Sequence, residues 1–98
     1  MPITFAVLLW PVEGREADLA AYEDDVLALM PGHGGRVVQR VRRLDAADRS
    51  QPLETHILQF EDERAFDAYV ADPRRAQMAE RRQACIARTE IWRVEHVT

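Results

Sequence analysis

A strand–helix–strand order occurs twice in this chain, and no other feature restricts its fold as much. The first pass runs from Ile3 through a helical pattern near residues 16–30 to a strand near 36–44. The second runs from Leu53 through helical segments near 62–87 to a strand near 89–97. The two halves share no convincing residue-level match, so the repeat is one of architecture. Two such units in one small domain pair their four strands in a single antiparallel sheet and place the helices on one of its faces.

The local patterns support each element. Residues 3–10 are apolar on both alternating sets, with Ile3, Phe5, Val7 and Leu9 on one and Ala6, Leu8 and Trp10 on the other. Only a strand covered on both faces reads this way, which puts it at the centre of the sheet. Pro11 ends its ladder by removing a donor. Leu19, Tyr22, Val26, Leu29 and Met30 then follow a three–four spacing, with Glu16, Asp18, Glu23, Asp24 and Asp25 as an acidic outer face. Pro31-Gly32-His33-Gly34-Gly35 stops that helix. Asp62 caps the next one, whose stripe is Ala65, Phe66, Tyr69 and Val70, and Asp72-Pro73 restarts it over 74–87. Residues 91–97 close the sheet. The predicted fold is α+β, a ferredoxin-like βαββαβ domain over residues 1–98 with a four-stranded antiparallel sheet.

Register decides which side chains meet. Residues 36–44 alternate Val37, Gln39 and Val41 against Arg40 and Arg42, which suits an edge strand, where charges oppose unwanted pairing. With Leu44 opposite Leu53, Val37, Gln39, Val41, His56, Leu58 and Phe60 share one face. A slip of one residue sets His56 beside Arg40 and Arg42 instead. The first register separates apolar from charged side chains better and is the expected one.

If the helices lie on one face, the other keeps apolar side chains of residues 3–10 in water. Burying one large apolar side chain is worth about 1.5–3 kcal/mol, so a second copy placed face to face is the simplest cover. A homodimer through the open sheet face is expected.

Composition narrows the function. The chain has 98 residues, of which 47% are hydrophobic and 31% charged, and a formal charge of −4. That acidic balance argues against phosphate-backbone binding, so no nucleic-acid partner is expected. No apolar run approaches a bilayer span, so no membrane partner is expected either. All 13 basic residues are Arg, and Lys and Asn are absent, which excludes Schiff-base and P-loop lysine chemistry. The only Ser, Ser50, sits in a polar loop without a nucleophile-elbow pattern. A lone Cys85 forms no internal disulfide and fits a cytoplasmic location. His33, His56 and His96 share no ligand spacing, so neither a metal nor a cofactor is expected.

The chain resembles members of the dimeric α/β-barrel superfamily over nearly its whole length. It is most similar to small uncharacterised bacterial domains in which a helix ends in Gly-Gly-Arg before the second strand, here Gly34-Gly35-Arg36. Those domains also carry a strand ending in Phe (Phe60), an aromatic-bearing helix (Ala65-Phe66 and Tyr69), a break (Asp72-Pro73) and a downstream Arg (Arg81 or Arg82). More distant relatives include cofactor-independent monooxygenases, muconolactone isomerases, haem-dependent enzymes and ligand-sensing domains. The resemblance implies the fold, a dimer and a pocket between each sheet and its helices. It transfers no catalytic residue.

His56 is the leading catalytic candidate, because a strand built only for structure rarely places an imidazole at its centre. It reads either as a general base or as a buried histidine satisfied by a neighbour. Trp10, Tyr22, Phe66 and Tyr69 are candidates for an aromatic ligand pocket, although core periodicity alone also accounts for them. Arg82, with its neighbour Arg81, reads either as a clamp for a carboxylate or as part of a solvated helix face. The expected function is the binding of a small aromatic or acidic metabolite between sheet and helices. The alternatives are a cofactor-independent monooxygenase or isomerase with His56 as base, and a structural dimer without a pocket.

Overall fold

A computed structural model describes residues 1–97. Strand β1 (Ile3–Pro11) leads into helix α1 (Glu16–Leu27), a 3-10 turn over Met30–His33 and strand β2 (Gly35–Arg42). Strand β3 (Glu54–Phe60), three short helices, α2 (Glu63–Val70), α3 (Pro73–Gln77) and α4 (Ala79–Cys85), and strand β4 (Ile86–Val94) complete the chain. The sheet is antiparallel in the order β2-β3-β1-β4, so β1 is central, as its doubly apolar pattern predicts, and the arrangement is ferredoxin-like. No helix among the described residues is long and apolar enough to cross a membrane.

Local chemistry accounts for the boundaries. Gly34 adopts φ +67° to leave the 3-10 turn, a conformation that Gly reaches without a Cβ penalty. Asp62 Oδ1 accepts from the Ala65 N–H at 2.8 Å, and Asp72 Oδ1 accepts from the Arg74 N–H at 2.8 Å, so both predicted caps form. The second helical stretch nevertheless breaks at Met78 and ends at Cys85, and β4 occupies Ile86–Val94 rather than 91–97. The Cys85 carbonyl accepts from the Val12 N–H at 2.9 Å, which starts pairing along β1 about five residues early.

The register differs from the expected one. Arg42 pairs with Glu54 and Arg40 with His56, while Val37 pairs with Leu58 and Gln39 with Ile57. Val38 is the extra residue of a β-bulge. The bulge changes the phase of β2, so that Arg40 and Arg42 lie on the same face as His56, the opposite of the apolar-with-apolar alignment. The charged strand tolerates this because Glu54 awaits both guanidiniums.

Burial along β3 alternates strictly. Glu54, His56, Leu58 and Phe60 are buried under the helices, and Thr55, Ile57 and Gln59 are half-buried on the other face. The core between sheet and helices joins Val7, Leu9, Leu58 and Phe60 to Leu19, Tyr22, Val26, Met30 and Tyr69. Phe5, Phe60, Phe66 and Tyr69 form an aromatic cluster, with ring centroids 4.4–6.5 Å apart. The outer face keeps Ala6, Leu8, Trp10 and Ile57 half-buried and leaves Val41, Trp92 and Val94 exposed.

Candidate functional site

The rows of the sheet bring the site together. His56 lies beside Val7 of β1, which lies beside Ile91 of β4, and Glu54 lies beside Leu9, which lies beside Thr89. Because i and i+2 on a strand share a face, Glu54 and His56 both point under α1. They are 0% and 1% exposed, and His56 Nε2 stands 2.8 Å from Glu54 Oε1.

Glu54 is an anion. Burial alone would raise its pKa, but hydrogen bonds from His56, Arg40 and Arg42 outweigh burial and hold it at about 2. Arg40 Nε donates to Oε1 at 2.7 Å and Arg42 donates to Oε2 at 2.8 Å through a terminal nitrogen. Arg40 also bonds to Asp24 and to the Ala20 carbonyl, tying the strand pair to α1. An ionised carboxylate only accepts, so His56 Nε2 carries the proton of this bond. In the neutral imidazole Nδ1 then holds the lone pair.

A cavity of about 230 Å³ lies between the sheet and the helices. His56, Glu23 and Tyr22 line its buried part, and Val70, Thr89 and Ile91 are its exposed residues, on α2 and along β4. Phe66, Tyr69 and Arg82 also line it. Tyr69 donates its hydroxyl to the Val26 carbonyl at 3.1 Å, and burial pushes its pKa up to about 12. Burial likewise raises Tyr22, so both phenols keep their protons at neutral pH. Arg82 donates to Thr89 Oγ1 at 2.9 Å, and the Arg75 guanidinium lies 4.6 Å from the centre of the Tyr69 ring.

Five sequence candidates, His56, Tyr22, Phe66, Tyr69 and Arg82, therefore meet around one cavity. Trp10 does not. It stands on the outer face, where Nε1 donates to the Ser50 carbonyl at 3.1 Å and Arg88 lies 4.5 Å from the ring centroid. Even positions of β1 face away from the helices, which is the physical reason for the correction. Arg81 is also elsewhere, bonded to Asp25. His33 is partly covered and sits 2.7 Å from Asp72 Oδ2. Among the described residues no group of three or more His, Cys, Asp or Glu is placed to hold a metal ion.

Sequence reasoning did not single out Glu23, Glu54 or Arg75 as site residues. Glu23 was expected on the acidic outer face of α1, yet it is 6% exposed and lines the cavity. The signal was present, since Glu23 lies four residues after Leu19, three before Val26 and four before Leu27, all of them buried.

Residues 11–97 match the family model described as a domain of unknown function (DUF1330). A comparison with curated proteins finds no match. Several solved structures are similar. A protein of unknown function from Rhodopseudomonas palustris is 19% identical, with a TM-score of 0.77 over 99% of this chain and 83% of that one. A dimeric ferredoxin-like protein of unknown function from Jannaschia sp. CCS1 is 18% identical, with a TM-score of 0.72 over 98% of this chain and 100% of that one. A candidate antibiotic biosynthesis monooxygenase from Bacteroides thetaiotaomicron is 15% identical, with a TM-score of 0.74 over 99% of this chain and 90% of that one. At these identities the likeness shows the fold alone.

Proposed function

This chain belongs to the DUF1330 family of unknown function, and we propose that it is a homodimeric domain that binds a small ring-bearing acid under its helices and moves a proton with His56. The Glu54–His56 contact carries this reading. A buried carboxylate that fixes the tautomer of an imidazole leaves Nδ1 as the base and stabilises the imidazolium that forms when a proton is taken. A positioned base of this kind contributes about 10²–10⁴-fold in rate. Such a transfer needs no cofactor.

Cavity size sets the substrate class. An apolar cavity of roughly 150 Å³ holds benzene, and drug-sized ligands fill roughly 300–1,000 Å³. At about 230 Å³ the space suits one ring with a short side chain. Val7, Leu9, Val26, Leu58 and Phe66 supply the apolar wall, and Arg75 and Arg82 supply positive charge for a carboxylate.

Phenylpyruvate combines a ring, a carboxylate and an acidic C–H and is the probe of choice. We expect a thermal shift on binding and exchange of its benzylic hydrogens with deuterated solvent above the buffer rate. His56→Gln keeps the thermal shift and loses the exchange. A wild-type protein that binds but exchanges at the buffer rate overturns the enzyme in favour of a binding domain. No shift with any aromatic acid or quinone favours the structural dimer.

The dimer rests on a separate observation. Val41, Trp92 and Val94 are exposed on a sheet face that also carries half-buried Leu8 and Ile57. Some similar structures are described as dimeric. A second copy laid on this face removes the patch from water.

A further inference from the structure

Glu23 places a second carboxyl in the cavity, on the opposite wall from the strand that carries His56. It is 6% exposed, and its Oε2 is fully buried with no hydrogen-bond partner among the described residues. Among the described residues no cation bonds to Glu23: Arg40 is held by Glu54 and Asp24, and Arg82 donates to the Thr89 hydroxyl. Leaving a buried carboxylate unpaired is costly, and a site that retains one has a use for it.

We propose that Glu23 is the proton donor that works opposite His56, and that the substrate is a small carbonyl compound with an acidic C–H next to the carbonyl. The inference rests on the reading of His56 as base. In the step, the His56 Nδ1–H bond forms as the C–H bond breaks. The freed electron pair becomes a C=C bond, and the carbonyl π pair moves onto oxygen. That oxygen takes the Glu23 proton, so an O–H bond forms as the Glu23 O–H bond breaks. The products are an enol, an imidazolium paired with Glu54, and a Glu23 carboxylate. Return of both protons restores the site, and return of the carbon-bound proton to a different carbon of a conjugated enol gives an isomer. No oxidant or reductant enters the balance.

The electrostatics agree with this assignment. Burial raises the Glu23 pKa first; the Glu54 charge on β3 adds to that, and His56 on β3, Arg82 on α4 and Arg40 on β2 oppose it. Tyr22 on α1, Tyr69 on α2 and Cys85 on α4 are the other titratable groups that sense Glu23. Glu54 is held ionised while Glu23 is pushed toward its protonated form. Two carboxyls driven apart in this way around one imidazole take the roles of orienting anion and acid.

The test uses the full chain and phenylpyruvate in deuterated buffer. Glu23→Gln keeps the shape and an N–H donor but has no proton to transfer, so the thermal shift persists while benzylic exchange falls by about 10²–10⁴-fold. Unchanged exchange in Glu23→Gln, with exchange lost in His56→Gln, overturns the acid and leaves the base standing. Exchange at the buffer rate in the wild-type protein overturns both. A carbon-13 titration of the Glu23 side chain reads the same proposal without a ligand. Titration above the ordinary Glu range supports it, and titration within or below that range overturns it.

Discussion

His56 Nε2 lies 2.8 Å from Glu54 Oε1, and both side chains are buried. The pair sits at the end of a charge chain in which Arg40 and Arg42 hold the other edges of the same carboxylate. An imidazole is thus oriented by an anion whose own charge is compensated from β2. Stability and the proposed chemistry draw on the same contact.

Glu54→Gln is expected to lower stability at pH 7 by on the order of 3 kcal/mol, the free energy that corresponds to holding the carboxyl at about 2 rather than 4.5. The folded value is depressed, so this contribution is present above the unfolded value and is lost as pH falls from about 5 toward 2. Asp72, whose pKa is lowered chiefly by Arg74 and His33, adds in the same direction. Urea denaturation across that range shows the gap between wild type and variant closing as the solution is acidified.

Glu23→Leu is expected to raise stability at pH 7 by about 1–2 kcal/mol, because an unpaired buried carboxyl is replaced by an apolar group of similar length. The folded pKa of Glu23 is raised, so the folded state binds more protons than the unfolded chain. Its contribution is most favourable below about pH 4 and diminishes as pH rises through the folded value. The melting temperature of the variant, compared with wild type, exceeds it most at neutral pH and least in acid.

Gly35→Ala is expected to cost about 1–3 kcal/mol by overpacking. A Cβ there would stand 2.7 Å from Phe60 Cε1 and 3.1 Å from Met30 Cε, and both of those side chains are buried in the core. Gly34→Ala acts differently, through φ +67° and contact with the flexible Glu61 side chain, and costs roughly 1–2 kcal/mol. Equilibrium denaturation of the two single variants measures each cost, and gives the Gly-Gly pair a structural reason.

Trp92→Glu is expected to shift the protein from dimer to monomer at micromolar concentration. Trp92 is 59% exposed beside Ala6 on the outer face, and a charge there would be buried unpaired in the face-to-face dimer. Sedimentation equilibrium of wild type and variant decides it. A wild-type monomer removes the dimer from the proposal, and a dimeric variant moves the interface off this face.

Much of this molecule was legible before its structure. The doubly apolar β1 announced a central strand, Asp62 and Asp72 announced their caps, and Tyr22, Phe66, Tyr69, Arg82 and His56 were singled out one by one. What stayed hidden depended on phase. Val38 is an ordinary β-branched residue, and neither Gly nor Pro marks the bulge, so nothing local signals that the alternation of β2 changes there. The placing of Arg40 and Arg42 beside His56 was therefore assigned to the slipped register, which was not the expected one. Glu23 was hidden by its neighbours, since a run of Glu-Asp-Asp looks like a wetted surface even when its first member falls on the buried stripe. Trp10 was judged by residue type, whereas its even position on β1 had already assigned it to the other side.

The Val38 bulge gives β2 a change of parity. Residues before it and after it answer to opposite counts, so removing Val38 itself would leave a regular ladder with Arg40 still opposite His56 and Arg42 still opposite Glu54. An extra residue inserted between Gln39 and Arg40 would instead turn Arg40 and Arg42 to the outer face, and Glu54 would be left without its counter-charges. A single-residue insertion in an edge strand would thus reach both the Glu54–His56 pair and the outer face of the sheet, whereas a two-residue insertion would preserve the parity of both.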